Sequence, residues 1–403
     1  MPAPHSHEVP EDGGVGALRA HRLLLAVVAS ALVATVAGLA LLWPTGEDTG
    51  ISEFLGAPAE LDDGRVRAVR TVPCAGTQEG QGVRCRSASV ELTSGVDEGT
   101  VVELETSEGP GTPTLREGDR IVVGYAPDAP PGLQYYFADF QRRSPLVWLT
   151  ALFVVAVVLL GRVRGLRALV GLALSLVVLV TFVLPAILEG SSPIAVAVVG
   201  SSAILLVNLY LAHGLNVRTT TAVVGTLASL GLIGVLAVVF VATTHLTGLA
   251  SEEATFLQAA SSRINLEGLL LGGIVIGSLG VLDDVTVTQA SAVWELHLAN
   301  PARGPGQLYG SALRIGRDHI ASTVNTLVLA YAGASLPLLI LLVEANRKVA
   351  NVLTGEVVAV EIVRTLVGSI GLVASVPITT GLAALVVGTG RPRPGAGEDA
   401  AMA

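Results

Sequence analysis

Apolar runs of about twenty residues, separated by short polar loops, recur along most of this chain, and one long polar block divides the first run from the rest. A helical run of that length crosses a hydrocarbon core of about 30 Å. Eight are predicted: Leu23–Trp43, Pro145–Leu160, Leu169–Leu188, Pro193–Leu211, Thr221–Thr243, Leu266–Leu282 with its continuation, Ala321–Val343 and Glu361–Val387. Within the polar block the period changes to two. Ser87, Ser89 and Glu91 alternate with Ala88, Val90 and Leu92, the mark of a half-buried strand. Short β-branched runs at Arg65–Val72, Val83–Thr93, Thr100–Thr106 and Arg120–Tyr125 predict a small β-barrel or sandwich.

The expected architecture is therefore a polytopic α-helical membrane protein with a small extracytoplasmic β domain between spans 1 and 2. Residues 1–22 form a polar cytoplasmic tail too poor in apolar residues to order itself. Residues 23–43 form a signal-anchor helix, 44–143 the β domain, 144–388 a seven-span membrane domain, and 389–403 a second cytoplasmic tail. The first run is longer than a signal-peptide core and reaches Leu41–Pro44 without a small-x-small cleavage pattern, so it reads as an uncleaved anchor.

Composition agrees with this class. A chain with 51% hydrophobic and 14% charged residues is not built as a water-soluble domain. The net charge of −9 says little about partners, since the charges sit mostly in loops and one domain; nucleic acid is not suggested, and the expected partners are the lipid bilayer and an unknown ion or small polar solute. Basic residues flanking short loops stay cytoplasmic. Arg19 and Arg22, Arg162 to Arg167, Arg218, Arg303 to Arg317, and Arg391 with Arg393 all fall on one side if the chain crosses eight times. Both termini are then cytoplasmic and the β domain lies outside the plasma membrane. Arg142, Arg143, Arg263, Arg347 and Lys348 run against the rule.

Cys74 and Cys85, the two cysteines of the chain, flank the turn-rich stretch Ala75–Gly82 in the block assigned outside. An oxidising compartment makes a disulfide the expected state, worth about 3 kcal/mol in a loop-entropy account; two free thiols are the alternative. Tyr135, Tyr136, Phe137, Phe140 and Trp148 precede or open the second span and are expected at the outer headgroup level.

The chemistry concentrates where the sixth run meets Asp283 and Asp284. Asp284, Thr288, Ser291 and Glu295 follow at helical spacing and share one face. An acid inside a span is costly and by default marks an ion, proton or substrate path. Two placements stay open: a broken helix that carries the acids to a cavity, or an amphipathic helix lying wet on the cytoplasmic surface. The seventh run offers Asn325 and Tyr331 beside a small-residue ridge, Ser322, Thr326, Ala330 and Ala334, with Arg317 and Asp318 at its start; Arg317 could pair with either acid. Asn208 and the string Gly200-Ser201-Ser202 are similar small-polar features on the fourth run. Glu361 and Arg364 form an i,i+3 pair, and Pro377 is expected to kink the last span.

The strings GLNVRTTTAVVGTL (Gly214–Leu227), GSLGVLDDVTVTQASAVWEL (Gly277–Leu296), GRDHIASTVNTLVLAYAG (Gly316–Gly333) and GSIGLVASVPIT (Gly368–Thr379) together resemble the YibE/F family of bacterial membrane proteins. The earlier segments ADFQRRSPLVWL (Ala138–Leu149) and GRVRGLRAL (Gly161–Leu169) fit the same pattern, so the resemblance runs from about Gly118 to the end of the last span. It implies a multi-pass, permease-like protein of a bacterial plasma membrane. By the family pattern, Asp284 and Glu295 bracket the small-residue helix, while Arg317, Asp318, Asn325 and Tyr331 form the signature of the next span. Asp283 stands where the pattern has a small or apolar residue.

Three functions compete. The first is a permease for an ion or small polar solute, with Asp284 and Glu295 as ion or proton sites. The second is a non-transporting scaffold or sensor whose β domain binds envelope components and whose polar stripe holds subunits together as a homo-oligomer. An intramembrane enzyme comes third, because no HExxH, Gly-x-Ser-x-Gly or phosphate-cradling string occurs. No cofactor is implied.

Overall fold

The computed structural model describes residues 15–47, 60–73, 84–107, 109, 111–127, 129–130, 134–344 and 349–388. Cys74 and the C-terminal tail lie outside them, as do residues 1–14 of the N-terminal tail. The chain divides into two units, residues 51–160 and the remainder.

In the first unit, β1 (Glu60–Pro73), β2 (Arg84–Leu92), β3 (Val101–Ser107), β4 (Arg120–Tyr125) and β5 (Tyr135–Phe140) form one sheet in the order β3-β2-β1-β4-β5. Every pairing is antiparallel. The sheet curls so that β3 and β5 approach each other. The alternation read from the sequence supplies its core: Ala88, Val90 and Leu92 of β2 point inward with Val66, Leu104, Ile121 and Val123, while Ser87 and Ser89 face outward and donate to the Glu103 carboxylate. The four expected strands all occur. The aromatic run Tyr135–Phe140, read from the sequence only as a headgroup anchor, forms a fifth strand. Tyr135, Phe137 and Phe140 pack on the sheet core, since aromatic side chains suit a pleated, half-buried surface. Cys85 is buried near the start of β2.

Among the described residues, six helices are long and apolar enough to cross a membrane: Arg19–Leu42, Arg143–Leu188, which begins in the first unit, and Pro193–His213, Val217–Thr243, Leu266–Ala299 and Glu356–Gly388 of the second. The first belongs to α1 (Val15–Leu42), so the helix begins inside the stretch expected as a disordered tail. The second contains two of the runs read from the sequence. It comprises α2 (Arg143–Val178), a π-helical turn at Leu179–Val183 and α3 (Leu184–Leu188). Its backbone leaves helical geometry at Arg162, with φ 49° and ψ −131°, a region that costs a non-glycine residue free energy. The π turn has a local cause. Pro185 has no N–H to give the preceding turn, and the backbone shifts to an i,i−5 pattern in which Leu184 N–H reaches the Leu179 carbonyl.

The remaining helices are α4 (Pro193–His213), α5 (Val217–Thr243), α6 (Glu252–Ala260), α7 (Leu266–Ala299), α8 (Pro305–Ala334), α9 (Leu336–Glu344), α10 (Val349–Leu353) and α11 (Glu356–Gly388). The run expected as one span at Ala321–Val343 is divided between α8 and α9 at Ser335, just before Pro337. α11 continues as helix through Pro377.

The centre of this unit is the mutual packing of α5, α7 and α11, with α4 against α7, α1 against α4, and α8 against α11 and α7. Ile233, Ile274, Leu271, Val275 and Val367 fill the apolar end of that centre. Gly371 of α11 permits the contact, because a Cβ there would lie 2.1 Å from the Ile233 side chain. At the same end α5 stops in a Schellman motif: Leu246 N–H bonds the Val241 carbonyl and His245 N–H that of Ala242. His245, at φ 52°, takes the left-handed place that glycine usually fills.

Candidate functional site

α7 is the element on which the polar chemistry is carried. Asn265 caps it, its side chain accepting from Gly268 N–H at 2.9 Å, and the helix then runs for 34 residues without interruption, about 50 Å. Neither placement read from the sequence holds. The helix does not break at the acids, and beyond them it is not a free surface helix. Val285, Thr286, Gln289, Ala290 and Val293 continue the buried face begun by Ser278 and Leu282, so packing carries the helix past the carboxylates.

The expected stripe occupies the opposite face. Asp284 and Glu295 are exposed, and Thr288 and Ser291 are half-buried. Thr288 spends its hydroxyl on the Asp284 carbonyl at 2.7 Å. The basic atom nearest the Asp284 carboxylate among the described ion pairs is His319 Nε2, 3.9 Å away on α8. Asn325, Arg317 and Asp318 are exposed on α8, and Tyr331 is half-buried, its hydroxyl 3.5 Å from where a Cβ on Gly277 would lie. Asp284, Glu295 and Asn325 are therefore not gathered in an enclosed cavity. Asp283 differs from its neighbour: it is half-buried, and its Oδ1 is shut off from solvent without a hydrogen-bond partner. Asn208 on α4 donates to Ser175 Oγ at 2.9 Å, while its Oδ1 is buried and unpartnered.

What the structure brings together is a seam of neutral polar groups between α5, α7 and α11. Thr286 and Thr226 share a hydroxyl–hydroxyl bond of 2.6 Å. Gln289 Oε1 accepts from Thr380 at 3.0 Å. Thr379 stands against Gly225, where a Cβ would come within 2.3 Å of its hydroxyl. Thr226, Thr286, Gln289, Thr379 and Thr380 are completely buried. Further along, Ser278 of α7 and Ser369 of α11 are also buried, and Ser278 Oγ lies 3.3 Å from the Cβ position of Gly368.

Satisfaction in this seam is incomplete. Several hydroxyls bond back to their own helices: Thr226 to the Ala222 carbonyl, Ser278 to Ile274 and Ser375 to Leu372. Gln289 Nε2, Thr379 Oγ1 and Ser369 Oγ have no partner. Buried polar atoms are nearly always paired, and an unpaired one costs about 1–3 kcal/mol. Three along one seam are open donor and acceptor positions, able to serve a neutral or singly charged species that offers complementary groups. The exposed stripe was legible because four polar residues follow one helical period. The buried seam was spread over three helices, and no single helix carries its threonines, serines and glutamine as one periodic stripe. The approach of His319 to Asp284 was likewise hidden in the string Gly316-Arg317-Asp318-His319.

Comparison with known proteins gives one positive finding. Neither a search of curated proteins nor one of solved structures returned a match. The model of the YibE/F-like protein family matches residues 149–389, beginning after β5 rather than at about Gly118, so the sheet lies outside the matched region. With most of its length covered, and with the apolar helices described above, this chain is a membrane protein of the YibE/F-like family.

Proposed function

We propose that the protein is a permease for an ion or small polar solute, with its pathway along the α5, α7 and α11 seam. The observation that carries this reading is the set of unpartnered buried atoms, Gln289 Nε2, Thr379 Oγ1 and Ser369 Oγ, along a seam of neutral polar groups in the helical core. Membrane-embedded polar groups of this kind are expensive to keep unless a passing species uses them. Asp283, with one buried carboxylate oxygen left unpartnered, is the acid best suited to exchange a proton or cation with that seam.

In the same reading the chain crosses a bacterial plasma membrane eight times. The count follows if Arg143–Leu188 crosses twice, on either side of Arg162, and the α8–α9 run once. Both termini are cytoplasmic, and the curled sheet is an external barrel held by a Cys74–Cys85 disulfide, serving as gate or capture module. The direct test is flux from sealed proteoliposomes. Purified protein should pass at least one of a panel of protons, monovalent cations and small polar solutes, and Gln289→Leu should depress that flux at least tenfold. Absence of flux for every member of the panel, with the protein folded, would defeat the proposal.

A second reading has its own support. The stripe on which Asp284 and Glu295 are exposed and Thr288 and Ser291 half-buried suits a scaffold or sensor that uses it to hold another polypeptide. Wild-type function that survives Gln289→Leu but not Asp284→Ala would favour it.

A further inference from the structure

The string Gly277-Ser278-Leu279-Gly280-Val281-Leu282 of α7 recurs in α11 as Gly368-Ser369-Ile370-Gly371-Leu372-Val373, and the match continues with Val285 against Val376 and Thr288 against Thr379. Each pair stands 91 residues apart, the separation also of the bonded pair Gln289 and Thr380. The helices keep the same offset: α5 ends at Thr243 and α8 at Ala334, and α11 opens at Glu356, within one residue of the place that Leu266 of α7 predicts. Gly225 of α5 and Gly316 of α8 correspond as well. A Cβ on Gly225 would meet Thr379 at 2.3 Å, and one on Gly316 would meet Gln289 at 2.8 Å, so each glycine admits a polar side chain from the other half. The stretches α5 to α7 and α8 to α11 follow one plan.

In a two-fold arrangement a residue meets its own equivalent only at the axis. Such meetings occur along the whole contact of α7 with α11. Ser278 Oγ lies 3.3 Å from the Cβ position of Gly368, beside Ser369; Val285 and Val376 share one apolar cluster, and Val293 and Ala384 another; Gln289 Oε1 accepts from Thr380 at 3.0 Å. The order ascends on both helices, so they run parallel and the axis follows them across the membrane. Sequence match and spatial contact are independent observations, and they give a single offset.

Ser369 Oγ, Gln289 Nε2 and Thr379 Oγ1, the unpartnered atoms, flank this axis. Gln289 and Thr379 are 0% exposed and Ser369 8%, so a solute reaches them only when α7 and α11 part. Transporters made of two parallel repeats bind at the repeat interface and open by rocking one repeat against the other. We infer that α5–α7 and α8–α11 are two copies of one unit, that the solute is held on their axis between the levels of Ser369 and Gln289, and that the copies rock about it to open each end in turn. This inference rests on the permease reading. The copies differ in charge, since Ala374 and Ser375 stand where the first has Asp283 and Asp284; an acid reaches the pathway from the first copy alone.

The test ties the copies together. Ser278→Cys with Gly368→Cys, or Val293→Cys with Ala384→Cys, is introduced into the full-length protein with Cys74 and Cys85 retained, oxidised in the membrane, and the bridge located by peptide mapping. Both bridges should form. Each should lower proteoliposome flux at least tenfold relative to the same protein after reduction, with wild type treated alike as the reference. Failure of either bridge to form in folded protein would overturn the axis, and a bridged protein that transports as fast as its reduced form would overturn the rocking. Wild-type protein without flux would defeat the permease reading and this site with it, whereas wild-type flux that persists through both bridges defeats this inference alone.

Discussion

The two faces of α7 both carry polar residues, and the two sets are opposite in kind. Toward α5 and α11 the helix presents Ser278, Thr286 and Gln289, all neutral and buried. On the outward side it presents Asp284 and Glu295, both charged and exposed, with glycines between them and the start of the helix. A buried amide or hydroxyl costs what one hydrogen bond can return, whereas a buried lone charge costs several times more. The division teaches that polarity along a membrane helix does not locate a pathway by itself. Formal charge marks a face that seeks another partner, and neutral polarity marks the interior.

The sharpest way to break that comparison is steric. Within the seam that the inner face of α7 joins, Gly225 of α5 touches Thr379 of α11, with only 2.3 Å from its Cβ position to the hydroxyl, whereas the Cβ position of Gly280 on the outer face of α7 has nothing within 4 Å. Gly225→Val should destabilise the helical unit by about 1–3 kcal/mol through overpacking, read as a lower unfolding temperature in detergent. Gly280→Val should leave the unfolding temperature of the solubilised single chain nearly unchanged. Equal losses at the two positions would mean that the faces are not distinct.

Next in size is the contrast between the adjacent acids. The sequence singled out Asp284, which follows the family pattern, and made Asp283 the departure from it. In the structure Asp283 has the buried, unpartnered oxygen and Asp284 is exposed. Asp283→Asn should therefore reduce proteoliposome flux by about tenfold, equivalent to about 1.4 kcal/mol, while Asp284→Asn should change it by less than about threefold. The reverse order would return the pathway to the outer face.

A smaller effect is expected at the hydroxyl pair that joins α5 to α7. Thr226→Val or Thr286→Val alone leaves one buried hydroxyl without its 2.6 Å partner and should cost about 1 kcal/mol. The double variant should cost less than the sum, with a coupling of about 0.6 kcal/mol, typical of interhelical hydrogen bonds in membranes. Additive losses in a double-mutant cycle would show that the contact contributes nothing as a pair.

How much of this could be read beforehand depended on whether the signal was local. Apolar length alone located the helices, and Ser87 to Leu92 announced β2 by strict alternation, because both patterns are written in consecutive residues. The fifth strand was missed since Tyr135–Phe140 is short and aromatic, a composition shared by strands and headgroup anchors. The continuity of α7 was missed for another reason. Thr286 and Gln289 lie on its inner face, yet their partners are 60 and 91 positions away, as in Thr226–Thr286 and Gln289–Thr380. The outward stripe needed no partner to be visible, which is why sequence reading saw the exposed face of α7 first.

Acid offers the mildest probe of the same division between charged outside and neutral inside. Glu189, just beyond α3, accepts from Thr45 N–H at 2.8 Å, from the Thr45 hydroxyl at 3.1 Å and from Gly46 N–H at 2.8 Å. The Thr45 backbone bond, with those of Gly46 and Glu47 and the Thr45 hydroxyl, holds its carboxyl below the usual range against the opposing effect of desolvation. A carboxyl depressed in the folded state stabilises above its unfolded pKa of about 4.3, and that contribution fades as pH falls through the lower folded value. Amide exchange at Thr45 and Gly46, corrected for its intrinsic pH dependence, should therefore accelerate only below the ordinary carboxylate range. Thr226–Thr286 and Thr380–Gln289 contain no titratable group, so amides of α5 and α11 around them should keep their protection through the same titration. Because the Glu189 clamp is solvent-exposed, the change should stay local and small. Loss of protection at Thr226 and Thr380 in step with Thr45 would show that the inner seam depends on an acid, and that the separation of charge from neutral polarity across α7 is incomplete.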